Sequence, residues 1–344
     1  MTHLWIRAEP RENERRVGVM PQGVVDLIAR GMRVTVEESA ARIVPVAEYR
    51  RAGAEIARHG SWPDAPTDAI ICGLKELRAD GTPLRHRHIM FGHAFKGQPD
   101  GPALLRRFVA GGGTLLDLEY LTDTGGRRVA AFGYWAGYAG AAVTLLCWAA
   151  QKSGANCPPV SEWDSAPEML ADVQEALARH GAERPTALIV GAKGRVGSGA
   201  ADLCTAMGVP VTGWDMEETA SGGPFPEIGA HDLFFNCVLA GPDTPRFVEA
   251  SLARPRLSVI GDIACDPGSD YNPIPLYDAA TSWDAPVVRV SQAPLLDIMA
   301  IDNLPSLLPR ESSEDFAGQL LPHLLSLPDG DVWQRAETVF RQHL

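Results

Sequence analysis

The sequence predicts an α/β protein of two domains, each built on a mostly parallel sheet, and three observations carry that prediction. Short runs rich in apolar and β-branched residues alternate with helical runs in two separate series. A glycine-rich loop follows the first strand of the second series and opens a helix. The chain has 344 residues, whereas a single hydrophobic core rarely grows past about 250 to 300.

In the first series, Leu4–Arg7 reads as a strand, Gln22–Arg30 as a helix, Arg33–Val36 as a strand and Val46–His59 as a helix. Ala69–Leu74 and His88–Ala94 read as buried strands and Leu104–Val109 as helical; after the Gly111-Gly112-Gly113 break comes a strand over Thr114–Tyr120. Val129–Ala150 carries no charge and is long enough on paper to span a bilayer. Its glycines and tyrosines, and the lack of a basic cluster beyond Arg127 and Arg128, favour a buried helix crossing between domains. Glu168–His180 has Leu170, Val173 and Leu177 at helical spacing and stops at Gly181. The second series holds strands at Ala187–Val190, Val211–Trp214, Leu233–Val238, Leu257–Ile263 and Pro286–Val290. Two helices close the chain, Ser312–Leu324, entered through Pro309 and a Ser-Ser-Glu-Asp cap, and Val332–His343. Residues 1–133 with 305–344 are expected to form a substrate and catalytic domain, and 134–304 the second domain, with 134–151 as the crossing helix.

Lysine and arginine total 31 against 43 aspartates and glutamates, a net charge of −12, with no long basic run. That balance argues against nucleic acid or an anionic membrane as partner. The six cysteines form no C-x-x-C pair, so neither a secreted disulfide framework nor a zinc site is expected, and no metal is assigned. The N-terminus turns charged at Arg7 and Glu9 and lacks the apolar core of a signal peptide. A cytoplasmic protein is expected, and nothing demands more than a monomer.

The sharpest local motif is Gly191-x-x-Gly194-x-x-Gly197, between the strand Ala187–Val190 and a following helix. Glycine lets backbone amides approach a pyrophosphate, and the helix N-terminus offers free N–H groups to the anion. The spacing departs from G-x-G-x-x-G by one residue. Asp215, at the end of the strand Val211–Trp214, stands where a carboxylate bonds the ribose hydroxyls and repels a 2′-phosphate, which favours NAD over NADP.

Lys75 and His93 fall at the carboxyl ends of predicted neighbouring strands, where open α/β sheets bind ligands. A lysine crowded by Lys96 and partly desolvated suits a general base taking a proton from an amine, and Glu76 and Glu119 supply the opposing charge. Arg16, Arg127 and Arg128 are candidates for holding substrate carboxylates. The other histidines, including His86 and His88, read as exposed loop residues.

The blocks RRVGVMP (15–21), GLKE (73–76), FGHAFK (91–96), GRRVAAFGYWAGYAGAA (126–142), GAKGRVGSGA (191–200) and IDNLPSLLPRESS (301–313) resemble the NAD-dependent, lysine-forming saccharopine dehydrogenases. The same order of blocks covers almost the whole chain, and alanine dehydrogenase and its transhydrogenase relative are more distant. The resemblance implies two Rossmann-like domains with an active-site cleft between them. It implies a reaction in which saccharopine, NAD⁺ and water give lysine, 2-oxoglutarate and NADH, reversibly. It gives Lys75 the part of base toward the substrate amine and His93 that of acid and base in imine hydrolysis. Arg16, Lys96, Arg127, Arg128 and Phe132 would bind substrate, with Glu76, Glu119 and Asp302 balancing charge. Gln98, Gly191, Gly194, Arg195, Gly197, Asp215, Thr219, Leu239, Asp262, Ile263, Ile301, Asp302, Asn303 and Leu304 would border the dinucleotide. Val196 stands where a cysteine is expected in eukaryotic members, so no disulfide from that position to Cys237 forms. Two rivals remain open: a related opine-type or amino-acid dehydrogenase acting on another amine and 2-oxo acid, and an NAD-binding sensor without chemistry.

Overall fold

The computed structural model describes residues 1–11 and 13–344. It divides into two units, Met1–Ala131 with Pro309–Leu344, and Phe132–Leu308.

In the first unit the apolar runs become strands β1 (His3–Ile6), β2 (Arg33–Glu37), β3 (Glu55–Ala57), β4 (Ile70–Cys72), β5 (Arg87–Met90) and β6 (Thr114–Asp117). Helices α1 (Pro21–Ala29), α2 (Val46–Arg51) and α3 (Gly101–Gly111) lie between them in sequence. Pro21 suits the first turn of α1, where its missing N–H costs nothing. The sheet order is β3-β2-β1-β4-β5-β6 and every pairing is parallel. The chain thus runs outward from β1 to β3 and returns to lay β4 beside β1. Ile70, Ile71 and Cys72 are all buried, as expected of a central parallel strand covered on both faces.

Three expectations are corrected here. The helix foreseen over Val46–His59 ends at Arg51, because Gly53 takes φ +96°, and Glu55–Ala57 pairs with β2 as an edge strand. The strand foreseen to Ala94 stops at Met90, ahead of a turn in which His93 adopts φ +48°. His86 and His88 are buried rather than exposed: they stand at or beside β5, with Trp62 edge-on to both rings. Burial pushes the His88 pKa well below its ordinary value, so this ring is a neutral core residue.

The second unit opens with α4 (Gly133–Lys152) and α5 (Ala166–Ala178). It continues through β7 (Ala187–Val190), α6 (Arg195–Ala206), β8 (Val211–Trp214), α7 (Met216–Thr219), β9 (Leu233–Asn236), β10 (Val259–Asp262), β11 (Val287–Gln292) and β12 (Leu295–Met299). The uncharged run is α4, whose Ala139, Ala142, Leu145 and Trp148 are buried in the unit's core. A Cβ at Gly137 would fall on the Val196 carbonyl and one at Gly199 on that of Tyr134, so these glycines let the α4 and α6 backbones touch. No helix among the described residues is long and apolar enough to cross a membrane. The sheet order is β8-β7-β9-β10-β12-β11, with β11 the antiparallel member. β12 was not foreseen; Pro294 interrupts the run from which it emerges.

The tail supplies α8 (Pro309–Leu324) and α9 (Asp331–Gln342) to the first unit. α8 begins at Pro309, earlier than expected, so the serines lie inside the helix rather than capping it. The Ser313 hydroxyl donates to the Pro309 carbonyl at 2.5 Å and accepts the Val17 N–H at 2.9 Å, tying the tail to the segment after β1. Phe340 of α9 meets Phe108 of α3 edge-to-face at 5.6 Å.

Candidate active site

In an open sheet, ligands bind beyond the strand carboxyl ends where the winding reverses, which in the first unit is between β1 and β4. Gly73, Leu74 and Lys75 follow β4 there, beside Arg7, Ala8 and Glu9 after β1. The Arg7 guanidinium lies under Gly73, where any Cβ would overlap it, and it donates to the Lys75 carbonyl and, at 3.1 Å, to Glu9. The Glu9 carboxylate accepts the backbone N–H groups of Leu74 at 2.7 Å and Lys75 at 2.9 Å.

The Lys75 Nζ lies 3.8 Å from Oε2 of buried Glu14. Glu14 also accepts from Arg16, at 2.8 Å from Nε and 2.6 Å from Nη2. Burial lowers the Lys75 pKa and the Arg16 charge lowers it further, against the opposing pull of Glu14. For Glu14, burial pushes the carboxyl up, yet the bonds and charge of Arg16 outweigh it and hold the group below the ordinary value. The site therefore keeps a fixed anion beside an amine that gives up its proton more readily than an ordinary lysine. Arg16 has its guanidinium fork turned onto Glu14 and is only 4% exposed. Glu76, next in the chain, pairs with Arg11.

A second cluster gathers beyond β5 and β6. His93 is exposed in its left-handed turn, its ring stacked near Phe91 with centroids 6.4 Å apart. The turn rests on Asp117, whose carboxylate accepts the Gly92 N–H at 3.1 Å and the Glu119 N–H at 2.9 Å. Burial pushes the Asp117 carboxyl up to about 6. Lys96 Nζ bonds Glu119 at 2.6 Å. Burial raises the Glu119 carboxyl, but Lys96 outweighs it, helped by the charges of Arg128 and His93, and holds it below the ordinary value. Arg127 and Arg128 sit on a tight turn closed by the Asp123 carboxylate, which accepts the Arg127 N–H at 3.0 Å. Gln98 accepts the Lys96 N–H at 2.8 Å and, with His93, Glu76 and Arg106, lines a cavity of about 640 Å³. Among the described residues no group of three or more His, Cys, Asp or Glu is placed to hold a metal.

The reversal point of the second unit lies between β7 and β9. Gly191 leaves β7 at φ +85°, and a Cβ there would meet Val238 and Cys237 beyond β9. Gly194 precedes α6, Arg195 begins it, and Gly197 passes too close to the Gly191 carbonyl to carry a side chain. The first N–H groups of a helix lack partners within it, so α6 presents donors where a pyrophosphate would lie. Asp215 accepts the Lys193 N–H at 3.1 Å and the Met216 N–H at 3.0 Å, which fixes a carboxylate beside the loop, and Thr219 donates to the Asp215 carbonyl at 3.0 Å. These residues fit a dinucleotide. Leu239 and Asp302 are exposed, and Asn303 is half-buried. Ile263, Ile301 and Leu304 are core residues, and Asp262 is buried, accepting from the Tyr277 hydroxyl at 2.7 Å and Asn236 at 2.9 Å. Those partners make Asp262 an internal brace. Phe132 begins the second unit, apart in chain division from the arginines before it.

Arg7, Glu9, Glu14 and Asp117 were not singled out from the sequence. The available signal was a charged residue just beyond a strand end, which becomes informative only once β1 is known to adjoin β4.

Residues 5–139 match the family described as alanine dehydrogenase/PNT, N-terminal domain. The chain is 45% identical over 358 residues to saccharopine dehydrogenase (NAD(+), L-lysine-forming) of Candida glabrata, covering 99% of this chain and 96% of that protein. It is 43% identical over 358 residues to the Yarrowia lipolytica protein of the same name, with 99% and 97% covered. Among solved structures, an L-alanine dehydrogenase superposes with a TM-score of 0.70 at 17% identity, over 100% of this chain and 94% of that one. A transhydrogenase from Sinorhizobium meliloti gives 0.64 at 19% identity, over 94% of each chain. At such identities these structures share the α/β fold.

Proposed function

The chain belongs to the NAD(+)-dependent, L-lysine-forming saccharopine dehydrogenases, and from that premise we propose that Lys75 is its catalytic base and His93 its acid and base for imine hydrolysis. The activity is the reversible NAD-dependent oxidation of saccharopine, in which saccharopine, NAD⁺ and water give L-lysine, 2-oxoglutarate, NADH and a proton. NAD⁺, when bound, supplies the hydride acceptor. Lys75 takes the proton of the substrate's secondary amine as hydride leaves the adjacent carbon, and a C=N bond forms. His93 takes a proton from the water that adds to the imine carbon, then returns one to nitrogen as the C–N bond breaks and lysine departs.

The observation that carries this reading is Lys75 itself, half-buried, with its Nζ 3.8 Å from the Glu14 carboxylate that Arg16 also holds, and with its pKa lowered by burial and by the Arg16 charge. Lys96, Arg127 and Arg128 bind substrate carboxylates, with Phe132 alongside, while Arg16 acts on Lys75 and Glu14 as well as on substrate. Glu76, Glu119 and Asp302 balance the positive charge. The loop of Gly191, Gly194, Arg195 and Gly197, with Asp215 and Thr219, holds NAD, and Gln98, Leu239 and Asn303 border it. The enzyme acts on small molecules, as a monomer in the cytoplasm; its six free cysteines are in keeping with a reducing compartment.

Lys75→Met tests the assignment. NADH affinity should stay within about twofold of the parent, while turnover of lysine with 2-oxoglutarate falls by about 10² to 10⁴-fold, the usual contribution of a positioned base. A variant that keeps the parent rate removes Lys75 from the role.

A further inference from the structure

We propose that Glu9 is a positioning residue for Lys75, a carboxylate clasp that joins the end of β1 to the turn after β4 and so fixes where the amine stands. The inference rests on the reading of Lys75 as the base. Two parallel strands at a reversal point diverge into separate loops, and nothing in the sheet ladder holds those loops together beyond the last strand bonds. The ladder here is extended by one bond, from the Arg7 N–H to the Cys72 carbonyl at 2.9 Å. Past it, Glu9 takes both remaining N–H groups on the turn, those of Leu74 and Lys75. Arg7 completes the clasp, donating to Glu9 and to the Lys75 carbonyl. The peptide groups on either side of the Lys75 Cα are thus held by side chains 66 and 68 positions away.

This arrangement separates two tasks. Glu14 and Arg16 set the charge around the Lys75 amine, whereas Glu9, itself paired with Arg7, meets Lys75 through its backbone N–H and holds the side chain's root. The charges that act on the amine are those of Arg16, Glu14, Arg11 and Glu76, of which Glu14 lies 3.8 Å from it. If the root moves, the amine leaves that set and gains water, and both changes carry it toward an ordinary lysine.

Glu9→Gln is nearly isosteric but replaces one acceptor oxygen with a donor, so at least one of the two N–H groups loses its bond. Steady-state turnover of lysine with 2-oxoglutarate should fall about 10- to 100-fold, the scale of a small misplacement of a catalytic group, with NADH affinity unchanged. In a Lys75→Met background the same substitution should cost less than about twofold, because a residue acting through Lys75 has nothing left to act on. Acylation of the Lys75 amine as a function of pH, read by peptide mass spectrometry, should show its titration moving up in Glu9→Asp, which keeps the carboxylate charge beside Arg7 and changes only its reach. An unmoved titration overturns the proposal, as does a rate loss that repeats in full in the Lys75→Met background. Should Lys75→Met itself keep full turnover, the base assignment fails while the labelling experiment still decides whether Glu9 positions the amine. If Glu9→Gln does not bind NADH, Glu9→Asp is carried through the rate measurements as well.

Discussion

The two units have the same kind of parallel sheet and the same kind of reversal point, yet they fill it with opposite materials. Between β1 and β4 the crevice is crossed by charged side chains, Arg7, Glu9, Glu14, Arg16 and Lys75. Between β7 and β9 it is lined by backbone, with Gly191 and Gly197 placed where a Cβ has no room. The topology decides where a ligand can lie, and the residues decide what may happen to it. Glycine brings peptide donors close to an anion that must be held without reacting. Side chains with shifted proton affinity are needed where protons move.

The largest effect expected from breaking this contrast is at Arg16. Arg16→Met strands the buried Glu14 carboxylate and should lower stability by about 3 to 5 kcal/mol, measured by denaturant unfolding. It also removes a positive charge that lowers the Lys75 pKa. With Lys75 as the proposed base, the rising limb of saccharopine oxidation should therefore move to higher pH, and a profile that stays in place contradicts the electrostatic account.

Next comes Asp117, beneath the His93 turn. Its folded pKa of about 6 lies above the ordinary 3.8, so the folded state holds the extra proton between those values and loses stability as pH rises through that window. The shift corresponds to about 3 kcal/mol, and Asp117→Asn should flatten that part of the stability profile in urea melts. Parallel profiles for the two proteins would show that Asp117 is not ionising in a buried place.

In the second unit the effects are expected on binding alone. Gly191→Ala forces a side chain into φ +85° against Val238 and Cys237, and NADH affinity should fall about 10- to 100-fold with turnover at saturating NADH kept. A turnover loss without an affinity loss would erase the division between the units. Asp215→Ala is the mildest: preference for NAD over NADP should relax by about 10-fold, and an unchanged ratio moves the ribose contact to another residue.

The same contrast separates what could be read in the sequence from what could not. The glycine loop is local: strand, glycines, helix and Asp215 follow one another, and β7 and β8 take the expected bounds. The placement of Lys75 and His93 beyond the ends of β4 and β5 could be read because strand ends are visible in a pattern of apolar runs. Their surroundings could not, since Glu9 meets Lys75 only through the sheet order. The edge strand β3 was hidden because a short half-exposed run resembles the end of a helix, and β12 because Pro294 stands just before it. His86 and His88 misled for a related reason: a polar residue in a strand says nothing of the Trp62 ring that covers it.

NADH absorbance in the presence of 2-oxoglutarate, with lysine, ornithine and ammonia offered in turn and pyruvate as the rival keto acid, tests the central claim most directly. Oxidation that requires lysine and 2-oxoglutarate together is the result expected of this site. Turnover of ammonia and pyruvate, with none from lysine and 2-oxoglutarate, would contradict it.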